Sequence, residues 1–232
     1  MAIDPLSDAK IVDSWHKNAA PWTNAVRGGQ IASRKLCTDR AVVDAVLGCS
    51  PGSLIDVGCG EGWLCRALAE RGVDVLGVDA VPELIDAARA GGGGEFRVMS
   101  YEAIIAGELD ARADAVVCNF SLIGKESVEG LIGAAASLLN PGGKLVVQTL
   151  HPRTACGDGP YEDGWRQGSW AGFDGAFTDP APWYFRTMQG WERLLADSGL
   201  RLAEVREPRI PGDGVTRGGE PVSVVFIASA AE

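Results

Sequence analysis

Histidine is scarce in this chain: His16 and His151 are the only two among 232 residues. Its six cysteines (Cys37, Cys49, Cys59, Cys65, Cys118 and Cys156) are scattered, and none forms a C-x-x-C pair. That pattern does not suit a zinc centre, which needs clustered Cys and His ligands. Cys59, Cys65 and Cys118 stand in glycine-rich or apolar surroundings and read as small buried residues. Neither a metal nor a disulfide is expected. Positive charge is short as well. With 21 Lys and Arg against 31 Asp and Glu, the formal net charge is −10. This argues against broad binding to nucleic acid or to an anionic membrane, though not against a local basic groove. No apolar run approaches the ~20 residues of a membrane span. The start, Met1-Ala2-Ile3-Asp4-Pro5, lacks the basic and apolar parts of a signal peptide. The simplest expectation is a cytoplasmic protein of ordinary globular composition, long enough for one large domain.

What the chain does have is glycine, placed where it matters. Leu54-Ile55-Asp56-Val57-Gly58-Cys59-Gly60-Glu61-Gly62 begins as a short apolar strand and ends as a glycine turn. Trp63, Leu64, Ala67 and Leu68 then fall at helical spacing, and Gly72 suits the end of that helix. A second apolar run, Val73 to Val78, closes on Asp79. The unit is strand, glycine turn, helix, strand, with an acid at each strand end. Glycines at the first junction let the backbone approach a ligand closely, and the second acid can accept the hydroxyl protons of a ribose. The spacing is G-x-G-x-G, whereas a dinucleotide fold shows G-x-G-x-x-G, so a dehydrogenase is disfavoured.

In these residues the chain resembles the class I S-adenosylmethionine-dependent methyltransferases, notably the small-molecule enzymes of the type 11/12 and ubiquinone-biosynthesis kind. The resemblance implies a Rossmann-like, doubly wound α/β sheet of seven strands, the last antiparallel, with helices on both faces. It implies S-adenosylmethionine as cofactor and S-adenosylhomocysteine as product. Asp56, Gly58, Cys59, Gly60, Gly62 and Ala80 would line the cofactor site, the glycine turn giving backbone room to the methionine part and Asp79 fixing the ribose. The family usually places an acid after its third strand, near the adenine. Here Ser100 stands at that place, followed by Tyr101 and Glu102, so a backbone amide and a hydroxyl would have to serve. Ala113 to Leu122 resembles the fourth strand and its loop, with Asn119 and Phe120 at the crevice end. The tetrad Asn119-Phe120-Ser121-Leu122 departs from the N-P-P-Y type of nucleic-acid methylases, which lowers that reading. A helix from Val128 to Leu139 leads to the turn Asn140-Pro141-Gly142-Gly143 and a strand from Lys144 to Leu150, also as in the family.

The chain divides by pattern into an N-terminal helical segment (1–50), a cofactor-binding core (51–150), an aromatic insertion (151–186) and a C-terminal helix with a strand hairpin (187–232). In the first, Ser7 caps a helix carrying Ile11, Val12 and Trp15, Pro21 interrupts, and a second helix fits Ile31 to Leu47. Trp15 and Trp22 read either as a lid over the cofactor or as packing for the N-terminal helix. Arg34 or Lys35 suits the cofactor's carboxylate, Arg34 the better because Arg pairs bidentately, or these charges lie on a solvated helix face. The insertion holds half of the chain's aromatic residues, among them Trp165, Trp170 and Tyr184. Disordered segments are depleted in aromatics, so this stretch reads as a hairpin closing over substrate, or as a dimer contact or minicore. The C-terminal part reads as a helix capped by Thr187, a strand from Arg201 to Arg206, a loop from Pro208 to Glu220 and a last strand from Pro221 to Ala228.

Methyl transfer from a sulfonium needs positioning and exclusion of water more than strong acids. His151, after the fifth strand, is the candidate general base, or it simply orders the loop before Pro152. Arg153, with Arg166 and Arg186, would meet a carboxylate or phosphate on the substrate, or lie on the surface. The function expected is methyl transfer to a small-molecule acceptor at oxygen or nitrogen, by a monomer or homodimer. The alternatives are an RNA or protein methyltransferase and a non-catalytic cofactor-binding module.

Overall fold

The structure is a computed structural model, and it describes residues 3–173, 175–210 and 219–231. Five parallel strands form the middle and one side of the sheet: β1 (Ser53–Val57), β2 (Asp74–Asp79), β3 (Glu95–Val98), β4 (Ala113–Asn119) and β5 (Leu139–Leu150). Two more, β8 (Leu200–Arg206) and β9 (Ser223–Ala230), are antiparallel neighbours, and β9 lies antiparallel against β5. The seven-stranded order is β3-β2-β1-β4-β5-β9-β8. The expected doubly wound sheet with an antiparallel last strand is therefore what forms. Of the expected loop from Pro208 to Glu220, residues 211–218 lie outside the described residues.

Both faces of the sheet are covered because successive strand residues face opposite sides. On one side Leu54, Ala115, Val117 and Val146 pack with α2 (Asp39–Gly48), α3 (Trp63–Ala69) and α4 (Pro82–Gly91). On the other, Val57, Val116, Cys118 and Val147 meet α5 (Tyr101–Ile105), α6 (Glu126–Ala134) and α8 (Met188–Asp197). The chain changes face between β1 and β4, which are neighbours in the sheet. An open α/β sheet has its crevice there, at the carboxyl ends of the strands.

Three local expectations change. The first helix, α1 (Asp8–Arg27), begins at the Ser7 cap and runs on through Pro21. A proline inside a helix removes one backbone hydrogen bond. Burial of Ala19 and Ala25, and packing of Trp15 and Trp22 beside Val81 and Leu84, hold the helix across that point. The second predicted helix starts as a π-helical turn, Arg34–Thr38, before α2. The helix expected to reach Leu139 ends as α6 at Ala134, then tightens into a 3₁₀ turn, Ala135–Leu138.

The insertion does contain a hairpin: β6 (Gly164–Arg166) pairs antiparallel with β7 (Trp183–Phe185), after the single-turn α7 (Pro152–Ala155). The cap of α6 comes from far away in sequence. Lys125 offers no capping side chain there, and Asp8 of α1 accepts the amides of Lys125 (2.7 Å) and Ser127 (2.6 Å) instead. A carboxylate at a helix N-terminus satisfies orphan amides and complements the helix dipole. One end of α1 is thereby tied to the core.

Candidate active site

The turn after β1 has positive φ at each glycine: 77° at Gly58, 56° at Gly60 and 81° at Gly62. The amides of Gly58 and Cys59 both donate to the Val78 carbonyl, which fastens the turn to β2. At Gly58 a Cβ would collide with the Cβ of Ser121 and stand 3.1 Å from the Tyr101 hydroxyl. At Gly62 it would press on the Phe96 ring at 3.1 Å. Gly58→Ala is therefore expected to abolish ligand binding at the turn, read by calorimetry, because strain and collision act together.

Asp79 holds the far side of the turn. One carboxylate oxygen accepts the Gly60 amide and the other the Val81 amide, each at 2.9 Å. Burial raises its pKa, and the two amides and the nearby His16 oppose that shift. Each oxygen keeps a lone pair for a ligand. Asp56 lies behind the turn, 1% exposed, and burial pushes its carboxyl up to about 7. Its Oδ2 accepts from the Cys65 thiol at 3.3 Å, and its Oδ1 has no partner among the described residues. Glu61, the acid between Gly60 and Gly62, is also 1% exposed and pairs with Arg27 (2.8 Å) and Arg66 (2.6 Å). Glu61 is not among the site residues expected from the sequence. An acid inside a glycine turn that stays buried needs cations beside it, and Arg66 five residues on was the available signal.

Above the strand ends lies a cavity of about 460 Å³. Gly58, Cys59, Gly60, Asp79 and Ala80 line its floor. Tyr101, Asn119 and Phe120 form one wall, and Trp15 and Arg34 another. Trp170 and Tyr184 reach it from the insertion. Several residues that the sequence did not single out join them, including Trp63, Ser121, Phe173 and Trp183. The loop after β4 is held tightly: Ser121 donates to the Val57 carbonyl (2.8 Å), and Tyr101 donates to the Ser121 carbonyl (3.1 Å). Phe120, bonded through its amide to Gln148, takes a φ of 54°, a conformation uncommon outside glycine. Arg34 donates through Nε to Asp39 at 2.8 Å and lies over the Trp63 ring, 4.5 Å from its centroid.

Other expected residues stand off the cavity. The Ser100 hydroxyl accepts the Ala103 amide at 3.2 Å and caps α5, so it is spent on the helix. His151 is 1% exposed, with Nε2 3.0 Å from Glu207 Oε1, and is not on the cavity wall. That position does not suit a base acting on a substrate in the cavity. Trp165 packs edge-on to Tyr184 at 5.6 Å, one layer back. Arg153 lies on α7, outside the lining. Arg186 does border the cavity, but its donors go to the carbonyls of Gly124 (2.8 Å) and Lys125 (3.2 Å), and burial lowers its pKa.

A family model described as a methyltransferase domain matches residues 32–205. This chain belongs to the methyltransferases. Among relatives, the methyltransferase is 40% identical over 103 residues to the ubiquinone biosynthesis O-methyltransferase of Xylella fastidiosa (strain M23). That match spans 42% of this chain and 42% of that protein, less than half of either. Among solved structures, an S-adenosylmethionine-dependent methyltransferase from Mesorhizobium loti superposes with a TM-score of 0.59 at 23% identity, over 80% of this chain and 97% of the other. One from Clostridium acetobutylicum gives 0.63 at 11% identity, over 92% and 98%. At these identities the structures establish the shared fold. Among the described residues, no helix of the methyltransferase is long and apolar enough to cross a membrane.

Proposed function

We propose that this methyltransferase moves the methyl group of S-adenosylmethionine to a small-molecule acceptor, at oxygen or nitrogen. The observation that carries the reading is a single cavity with a glycine cradle and Asp79 at one end and aromatic rings of the insertion at the other. The cradle fits the cofactor: Gly60 lies on the cavity floor, and where its Cβ would stand nothing comes nearer than the Trp22 indole nitrogen at 3.7 Å, so the missing side chain leaves room there. The backbone of Gly58 to Gly60 would hold the methionine part, and Asp79 the two ribose hydroxyls through its remaining lone pairs. Ala80 and Tyr101 would border the adenine. Arg34 would meet the carboxylate, and Trp15, on the cavity wall, would cover the cofactor.

The cofactor supplies an electrophilic methyl on a sulfonium, which leaves as neutral thioether when the acceptor's lone pair attacks. The chain's own residues then have three tasks: to hold the acceptor in line, to exclude water and to keep the sulfonium in a low-dielectric setting. Holding two reactants in a near-attack geometry is worth about 7–11 kcal/mol at best. Asn119 and Phe120 stand at the β4 end, where the two ligands would meet, and Trp170 and Tyr184 would wall the acceptor side. His151 has no part in this scheme, and the surplus proton of the methylated acceptor is lost to solvent as the product leaves the site.

Calorimetric titration with S-adenosylmethionine, S-adenosylhomocysteine and NAD tests the reading. Micromolar binding of the first two with no response to NAD is the expected result. Silence from both sulfur compounds would remove it. Binding without turnover across an acceptor panel would leave a cofactor-binding module in its place.

A further inference from the structure

Between β6 and β7, residues 167–173 and 175–182 lie along α1 as a strap. Asn18, fully buried on α1, exchanges two hydrogen bonds with Thr178: Nδ2 donates to its carbonyl (2.8 Å) and Oδ1 accepts its amide (2.9 Å). Ser14, equally buried, donates to the Asp179 carbonyl at 2.6 Å. The Asp179 carboxylate takes the ammonium groups of both Lys10 and Lys17, which hold it below the usual carboxylate range. Lys10, Ser14 and Asn18 follow one another four residues apart and Lys17 is three from Ser14, so all four lie along one side of the helix. Asp179 itself has a φ of 48°, a conformation that disfavours any residue with a Cβ.

The neighbouring face of α1 carries the rings that roof the cavity. Trp15 and Trp22 are 5.1 Å apart edge-on, and the strap sets Trp170 beside Trp15 (5.9 Å) and Phe173 beside Trp22 (6.3 Å). Trp170 and Phe173 also contact each other at 5.8 Å, which closes a ring of four. Phe177, next to the clasped residue, supports both from beneath at 4.7 and 4.8 Å, and the Trp170 indole donates to Thr178. The helix is moored at both ends, by Asp8 on α6 and by Arg27 on Glu61 and the Ala87 carbonyl. Of the two layers of the roof, the hairpin loop is held to α1 by the Asn18, Ser14 and Asp179 contacts, whereas α1 is also fastened to the core.

We propose that Asn18 is a positioning residue: with Thr178 it clasps the aromatic strap to α1, and release of this clasp is the step that admits and frees the ligand of the Asp79 site. This rests on reading that site as one for S-adenosylmethionine. Asn18 touches no reacting atom. It acts through Trp170 and Phe173, which do line the cavity.

Stopped-flow mixing with S-adenosylhomocysteine, followed by tryptophan fluorescence, tests the clasp without any acceptor. For Asn18→Ala, association and dissociation rates should both rise about tenfold while Kd moves less than about threefold, as for a gate whose latch is gone. A residue that only supports the shape of the site would speed dissociation and leave association unchanged or slower, and that result would overturn the proposal. Asp179→Asn removes the ion pairs and keeps Asn18. It should shift both rates in the same direction by a smaller factor, and it carries the test should Asn18→Ala fail to fold. Added salt should speed exchange in the wild type and not in Asp179→Asn. Tight binding with unchanged association in both variants sinks the clasp alone. A wild type that does not bind S-adenosylhomocysteine sinks the functional reading and the clasp with it.

Discussion

Asp79→Asn is expected to cost at least about a hundredfold in S-adenosylhomocysteine affinity, roughly 2.7 kcal/mol. Both carboxylate oxygens already accept a backbone amide, from Gly60 and from Val81. An asparagine keeps one acceptor and turns an NH₂ group toward the other amide, so donor faces donor inside a half-buried turn. The ligand then loses a charged acceptor for its hydroxyls, and hydrogen bonds to charged groups contribute about 1.5–3 kcal/mol each. Calorimetry measures the loss, and a melting curve checks that the sheet still folds. Affinity within about threefold of wild type would mean that Asp79 does not hold the ribose.

The second large effect concerns stability. Asp56 has a folded pKa raised from 3.8 to about 7 by burial. A carboxyl raised on folding binds more protons in the native state, so its contribution is fully present below about pH 4 and is lost as pH rises through about 7. At pH 8 the ionised, buried group opposes folding by up to ~4 kcal/mol, taken from ~1.4 kcal/mol per pKa unit. Asp56→Asn removes that titration. In urea unfolding of the ligand-free protein, the variant should gain about 2–4 kcal/mol on the wild type between pH 5 and pH 8. The cost of burying the new amide is the same at both pH values and cancels in the comparison. A gap that does not change with pH would show that Asp56 is not the buried acid described here.

Which parts of this were legible in the sequence follows from how local each determinant is. The glycine turn and Asp79 lie within a single strand-turn-helix-strand unit, where spacing alone fixes the backbone path, and the structure brings them together on one floor. Side-chain direction at element ends is another matter. His151 follows β5 as expected, yet its ring sinks toward Glu207, a residue far along the chain. Trp165 and Tyr184 are register partners in one hairpin, and only Tyr184 reaches the cavity. Arg186 looked free to meet an anion, but two carbonyls from the loop after β4 take its donors. Pro21 looked like a break, and tertiary packing carried the helix past it. In each case the deciding partner is distant in sequence, and pattern within a window does not contain it.

The place of β9 has a consequence for how the protein is made. Seven of its eight residues are buried, and it lies between β5 and β8, bonded to both. While residues 223–230 are still inside the ribosome, β5 presents an open edge and β8 has no neighbour to join. Such an edge is a template for pairing with another chain. The nascent protein is thus open to pairing with other chains until that strand emerges, and a fragment ending at residue 205, where the family match stops, lacks the strand that covers this edge.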